Sequence, residues 1–119
     1  MSVRSEKVAS LIKEEVSTIV QRNFTMEEYG FLTVTDVEMS ADLKNAKIYV
    51  SVFGDAKRKE RTLALLEGQK GFIRSTLGRS IRLKFTPTVT FQLDETLDRV
   101  MKIEKIINEI HKDEGPVKE

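Results

Sequence analysis

Residues 57–84 read KRKERTLALLEGQKGFIRSTLGRSIRLK, and more about the fold can be inferred from this stretch than from any other. Its apolar residues recur at steps of three and four on both sides of two glycines, Gly68 and Gly71. This pattern predicts two amphipathic helices separated by a break. The stretch then changes to alternating apolar and polar residues, which predicts a strand.

The positive charge of the chain is concentrated in the same stretch. It holds nine bases and two acids, a net charge of +7, whereas the other residues hold eleven bases and seventeen acids. A solvated surface is the ordinary explanation of a charge run, but bases gathered in one unit of a near-neutral protein favour an anionic partner. We expect the nine bases to form an RNA-binding face: Lys57, Arg58, Lys59, Arg61, Lys70, Arg74, Arg79, Arg82 and Lys84.

Length and composition indicate one ordinary globular domain. The 119 residues are 39% apolar and 33% charged, which is typical of neither disordered nor membrane-embedded chains. Cysteine is absent, so disulfides and thiolate metal sites are excluded and a reducing compartment fits. No apolar run is long enough to span a bilayer, and the first residues do not resemble a secretory signal. We expect a monomeric, cytoplasmic protein.

The first half of the chain predicts a helix followed by a β-hairpin. Residues 3–22 place apolar side chains on one helical face. These are Val8, Leu11, Ile12, Val16, Ile19 and Val20. After a polar loop at residues 26–29, residues 31–39 and 46–53 alternate with period two and are rich in β-branched side chains. Because only a short turn joins them, we expect the two strands to pair antiparallel.

The second half predicts two helices, a strand and a last helix. Asp55 can cap the first helix, and we expect the second to turn Phe72, Ile73, Thr76 and Leu77 inward. The strand covers residues 83–93. Its inner face would carry Leu83, Phe85, Val89, Phe91 and Leu93. Pro87 cannot donate a ladder hydrogen bond and so favours an edge strand or a bulge. Residues 97–110 have the broad apolar stripe of a helix, which Asp94 or Thr96 can cap.

The predicted order is therefore α-β-β-α-α-β-α, an α+β fold with the helices packed on one face of a three-stranded sheet. Its β-α-α-β part, residues 46–93, is the minimal unit of a KH domain. The helix and strand before that unit correspond to the type II arrangement. We expect a single KH-like domain over residues 1–111 and a flexible C-terminal tail over residues 112–119.

The break between the two central helices has the form of the GxxG with which KH domains clamp a nucleic-acid backbone. It consists of Gly68, Gln69, Lys70 and Gly71. Glycine at both ends lets backbone N–H groups approach phosphates, and Lys70 adds charge. The alternative is that Gly68 only loosens the end of a helix, as isolated glycines often do. A bare GxxG does not decide between the two.

An ordered set of short motifs over residues 3–110 resembles the ribosome-binding factor A family. In the helical unit and its strand they are Gly71-Phe72-Ile73-Arg74, Leu77-Gly78, Ile81-Arg82-Leu83, Pro87, Val89-Thr90-Phe91 and Asp94. In the first helix they are Arg4, Lys7-Val8 and Leu11-Ile12, and in the hairpin they are Val34-Thr35-Asp36-Val37, Asp42-Leu43 and Ala46-Lys47-Ile48-Tyr49-Val50. One departure is that the family usually has an Ala-x-Gly kink between the helices, where this chain has Gln69-Lys70-Gly71.

The resemblance implies an assembly factor that binds the immature small (30S) ribosomal subunit, contacts its 16S rRNA and supports maturation of the 5′ end of that RNA. It also implies adaptation to growth in the cold and an assembly GTPase acting at the same stage. From the charge layout we expect contacts mainly to phosphates and to A-form shape, because few aromatic side chains are available for stacking. Two alternatives stay open: a generic KH protein for single-stranded RNA, and a protein-interaction module.

The sequence contains few residues or motifs that would indicate an enzyme. The single histidine, His111, lies near the end of the predicted last helix, where its interaction with the helix dipole is sufficient reason for it. The sequence contains no P-loop, nucleophile elbow or dinucleotide fingerprint. We therefore expect no catalytic residue, no metal site and no cofactor.

Overall fold

A computed structural model describes residues 3–96 and begins with a helix, α1 (Val3–Asn23). The helix predicted over residues 3–22 is thus confirmed. Its buried face consists of Ser5, Val8, Ala9, Ile12, Val16, Ile19 and Val20. Leu11, predicted on this face, is instead 50% exposed, because it lies at the border of the buried stripe rather than on its centre line.

A short helix, α2 (Met26–Tyr29), occupies the place of the predicted polar loop. The Thr25 hydroxyl accepts a hydrogen bond from the Glu28 N–H at 3.3 Å and so caps the helix. Tyr29 is buried and stacks on Phe24 with 4.5 Å between ring centroids. Burial is the main cause that raises the pKa of Tyr29, with the Glu28 charge second. The prediction of a loop was wrong because one buried aromatic residue anchors this turn.

The predicted hairpin is confirmed as β1 (Leu32–Met39) paired antiparallel with β2 (Asn45–Val52). In its turn, an Asp42 carboxylate oxygen accepts hydrogen bonds from the Ser40 hydroxyl at 2.6 Å and from the Lys44 N–H at 3.0 Å. A bulge between Val34 and Asp36 interrupts the register of β1.

The third strand, β3 (Thr88–Leu93), pairs parallel with β2, so the sheet order is β1-β2-β3 and β3 is an edge strand. The strand was predicted to begin at residue 83, but it begins five residues later, at Thr88. Pro87, which cannot donate a ladder hydrogen bond, lies immediately before it. Phe85, predicted to face inward, is 63% exposed.

The central unit consists of α3 (Ala56–Gly68) and α4 (Lys70–Ser80). The predicted cap is present, since the Asp55 carboxylate accepts a hydrogen bond from the Arg58 N–H at 2.9 Å. Ile73 and Leu77 of α4 are buried as predicted, but Phe72 is 40% exposed. On α3 the buried residues are Thr62 and Leu66, whereas Leu63 and Leu65 are only partly buried.

Burial alternates along the strands except at the bulge of β1. One face of the sheet is therefore covered, and the other, which we call the open face, carries exposed or partly buried side chains within the described residues. The covered face carries Val34, Val37, Met39, Ala46, Ile48, Val50, Val52, Val89 and Phe91. These side chains pack with the buried faces of α1, α3 and α4 in one core. The predicted α+β fold, with helices on one face of a three-stranded sheet, is therefore confirmed. The predicted last helix and tail lie outside the described residues.

Arg58 holds α2 against α3. Its guanidinium donates hydrogen bonds to the Glu28 and Glu27 carbonyl oxygens at 3.0 and 3.3 Å. Two glycines with positive φ make room for its side chain. A Cβ on Gly30 (φ +70°) would approach Arg58 Nε to 2.9 Å, and one on Gly54 (φ +141°) would approach Arg58 Cγ to 2.8 Å. A residue predicted to contact RNA is thus engaged within the fold.

We predict that Arg58→Gln lowers the free energy of unfolding by about 1–2 kcal/mol, because hydrogen bonds from a charged donor to two helix-end carbonyls are lost. Urea denaturation measures the effect. Lys57→Gln is the matched control, since Lys57 is exposed in the same helical turn, and its change should stay within about 0.5 kcal/mol. Equal stabilities of the two variants would contradict this role of Arg58.

The end of β3 is joined to the bulge of β1 by a side-chain hydrogen bond. The Thr35 hydroxyl donates to Asp94 Oδ2 at 2.7 Å, and the Thr96 N–H donates to Asp94 Oδ1 at 3.0 Å. These bonds stabilise the carboxylate and lower the pKa of Asp94 below its ordinary value of 3.8, the Thr35 bond being the largest cause.

We predict that Thr35→Val raises the pKa of Asp94, while Thr33→Val, on the same strand, leaves it unchanged. A depressed carboxyl pKa gives stability that is present above pH 3.8 and is lost as the pH falls through the lower folded-state value. NMR titration of the Asp94 carboxyl carbon measures the shift. An unchanged pKa in Thr35→Val would contradict the assignment.

Candidate nucleic-acid interface

The nine predicted bases fall into two separate groups. One group lies in the first half of α3 and consists of Lys57, Arg58, Lys59 and Arg61. The other lies on α4 and in the segment that follows it, and consists of Lys70, Arg74, Arg79, Arg82 and Lys84. With a rise of 1.5 Å per residue, α3 separates Lys57 from Gly68 by roughly 17 Å. The structure therefore does not assemble the nine residues into one patch.

The group on α3 is partly used by the fold itself. Arg58 donates hydrogen bonds to carbonyl oxygens of α2. Lys59 is half-buried and also has an interaction partner. Lys57 and Arg61 are exposed. The basic residues in the first turn of α3, which were predicted to belong to the RNA-binding face, are thus explained in part by the packing of α3 against α2.

The predicted GxxG is a tight kink rather than a loop. Gly68 is the last residue of α3, Gln69 alone separates the helices, and Lys70 and Gly71 already belong to α4. Neither glycine has a positive φ, and a Cβ at either would meet no atom within 4 Å. Glycine is therefore not required here by packing, while the space above the kink is open. Lys70 forms an ion pair with Glu67 at 2.6 Å.

Two of the predicted bases do meet at a surface depression beyond the kink. Arg74 and Lys84 line it, and its volume is about 570 Å³. The other lining residues are Gly71, Ser75, Gly78, Phe85 and Thr86. Arg74 is fixed by a hydrogen bond from Nη2 to the Thr86 carbonyl oxygen at 3.1 Å. Arg79 and Arg82 are exposed but do not line this depression.

Sequence reasoning missed residues that belong to the same surface. Lys44, from the hairpin turn, lines an adjoining depression together with Arg74, Phe85, Thr86 and Thr88. Arg4 of α1 lines a third depression with Lys44, Lys84 and Phe85. Only the parallel pairing of β3 with β2 brings the hairpin turn here, since the Thr88 N–H donates to the Lys44 carbonyl oxygen at 2.8 Å. We call Lys44, Arg74 and Lys84 the basic surface.

The open face of the sheet has the opposite character. Asp36 and Glu38 are exposed on β1, and Asp94 follows β3. The Tyr49 hydroxyl donates a hydrogen bond to Glu38 Oε2 at 2.6 Å, and this bond is the largest cause that raises the pKa of Tyr49. Carboxylates along this face repel phosphates. Within residues 3–96, no three acidic or histidine side chains form a group that could hold a metal ion.

Comparison with known proteins identifies the family to which the chain is similar. A model of the ribosome-binding factor A family matches residues 4–107. Among solved structures, the crystal structure of ribosome-binding factor A from Thermus thermophilus superposes with a TM-score of 0.67 at 21% identity, covering 75% of this chain and 94% of that one. A candidate ribosome-binding factor A from Thermotoga maritima, solved by NMR, also gives a TM-score of 0.67, at 28% identity, covering 77% and 88%.

A third likeness concerns a complex. A homology model of the Thermus thermophilus ribosome-binding factor A, fitted into a cryo-electron microscopy map of a 30S complex, matches with a TM-score of 0.61 at 21% identity. The match covers 72% of this chain and 90% of that one. The described elements, their order and the extent of the family match agree, and the chain belongs to the ribosome-binding factor A family.

Proposed function

We propose that this protein is an assembly factor that binds the small (30S) ribosomal subunit through phosphates of its 16S rRNA. The observation that carries the proposal is the match to the ribosome-binding factor A family over residues 4–107. The protein from Thermus thermophilus has been fitted into a map of a complex with the 30S subunit. The basic surface supports the proposal, because Lys44, Arg74 and Lys84 come from three parts of the chain and adjoin one another.

The mechanism follows from the placement of charge. Phosphate contacts release counterions, so affinity should fall steeply as salt rises. Contacts spread over a folded RNA conformation favour that conformation over its competitors, and rearrangement of the RNA then removes the site. In this account the protein holds immature 16S rRNA while its 5′ end is processed, a step whose importance increases in the cold. The family resemblance also implies an assembly GTPase that acts at the same stage, and we propose that the protein works as a cytoplasmic monomer.

Two alternatives differ in the ligand that they predict. A generic KH protein would prefer short unpaired RNA to assembled subunits, using the kink at residues 68–71. A protein-interaction module would bind an acidic protein and show weak affinity for RNA. The family match favours the ribosomal subunit, where folded RNA offers more contacts than a short oligomer.

We predict that the purified protein cosediments with free small subunits and not with large or joined subunits. The triple variant Lys44→Gln, Arg74→Gln and Lys84→Gln should bind small subunits at least roughly tenfold more weakly, because three phosphate contacts are lost. The matched control is Lys7→Gln, Lys13→Gln and Lys47→Gln, which makes the same charge change at exposed residues outside the basic surface. Sedimentation gives the affinity of each triple variant for small subunits, and its repetition at a second salt concentration measures the salt dependence of that affinity.

Equal binding by the two triple variants would contradict the assigned surface while leaving the function standing. Failure of the wild-type protein to bind any ribosomal particle would contradict the function itself.

A further inference from the structure

Phe85 has an unusual environment for a phenylalanine. Its side chain is 63% exposed, although large apolar side chains are more often buried. The ring also stands among bases: Lys84 Nζ lies 5.7 Å from the ring centroid, and Arg74 and Lys44 line the same depression as Phe85. No carboxylate lines that depression or the one beside Gly71 and Gly78, and one acidic residue, Asp42, lines the third depression together with Arg4, Lys44, Lys84 and Phe85. An exposed aromatic ring among cations fits an anionic ligand with a flat apolar face.

The backbone on the C-terminal side of Phe85 is fixed. The Thr86 carbonyl oxygen accepts a hydrogen bond from Arg74 at 3.1 Å, Pro87 is fully buried, and Thr88 begins the ladder with β2. The segment lies close to α4, because a Cβ on Gly78 would approach Thr86 Oγ1 to 2.9 Å. The ring is therefore presented by an anchored segment, which reduces the entropy lost when a ligand binds.

We propose that Phe85 is a stacking platform for one unpaired RNA base, whose flanking phosphates contact Arg74, Lys84 and Lys44. Aromatic rings recognise RNA by stacking on bases that are free of a duplex, and bases in an A-form helix are not available for this. The inference deepens the proposed function, on which it rests for the choice of RNA as the ligand. It assigns to this surface an unpaired nucleotide of the immature subunit.

The other exposed aromatic pair has fewer bases around it. Phe31 and Phe53 are 61% and 79% exposed and contact each other edge to face, with 6.5 Å between centroids. One base, Arg22, lines a depression with Phe31, whereas Lys44, Arg74 and Lys84 all line depressions with Phe85. The carboxylates of an acidic peptide would pair with the cations around Phe85 but would make no use of the ring. The combination of ring and charge favours a nucleotide.

The first test uses tryptophan as a reporter, because the natural chain contains none. Phe85→Trp is titrated with octauridylate and with an abasic oligomer of the same length and charge. We expect quenching of tryptophan fluorescence by octauridylate and little quenching by the abasic oligomer. Phe72→Trp is the control, since Phe72 is also partly exposed on α4 but does not line the depressions. Equal quenching of both variants, or none in either, would overturn the proposal.

The second test measures affinity by fluorescence anisotropy of labelled octauridylate. Phe85→Ala should weaken binding roughly 5- to 100-fold, the effect expected for one stacked base, whereas Phe85→Tyr and Phe72→Ala should bind like the wild type. The slope of affinity against salt should be unchanged in Phe85→Ala and smaller in Arg74→Gln, which loses a phosphate contact. Wild-type affinity in Phe85→Ala would overturn the stacking role, and so would equally tight binding of an oligoglutamate of equal charge.

Sedimentation with small subunits separates this inference from the proposed function. Wild-type protein that binds subunits, together with a Phe85→Ala variant that binds them and octauridylate equally well, rejects the platform and keeps the function. Stacking on octauridylate without any subunit binding rejects the function and keeps the platform.

Discussion

The parallel pairing of β3 with β2 is the contact on which the arrangement of the basic surface depends. It starts where the Thr88 N–H donates to the Lys44 carbonyl oxygen at 2.8 Å, at the end of the hairpin turn. From there Val89 and Phe91 enter the core. The same contact places the hairpin turn beside the segment between α4 and β3. Residues far apart in sequence, Lys44 and Arg74, thereby line one depression.

Most of the fold could be predicted from residue periodicity. The buried stripe of α1 repeats at helical spacing, and the hairpin alternates with period two, so both elements could be inferred. The errors occurred where a single residue overrides the pattern. Tyr29 is drawn into the core and converts a polar segment into α2. Pro87 precedes Thr88, the first paired residue of β3. The alternation of apolar and polar residues before Pro87, which includes Phe85, therefore does not form part of a strand.

The basic surface was harder to predict, because the net charge of a stretch of sequence does not report what each basic side chain contacts. Arg58 has the charge and the sequence position expected of a residue that binds RNA, yet its guanidinium donates hydrogen bonds to carbonyl oxygens of α2. Lys44 is a single base in a turn and gave no signal, yet it adjoins Arg74 and Phe85. Such assignments need tertiary contacts, above all the parallel pairing that no local pattern predicts. The family likeness, by contrast, was evident from motifs, since it rests on their order rather than on their partners.

The central claim is that RNA is contacted beyond the kink, where Lys44, Arg74, Lys84 and Phe85 adjoin, and not along the first turn of α3. The most direct test is an amide NMR titration of the full chain with a short unpaired RNA. We predict the largest shifts at residues 44, 74, 84–86 and 88, with small changes over residues 57–61. The largest shifts over residues 57–61, with residues 84–86 and 88 unchanged, would contradict the account.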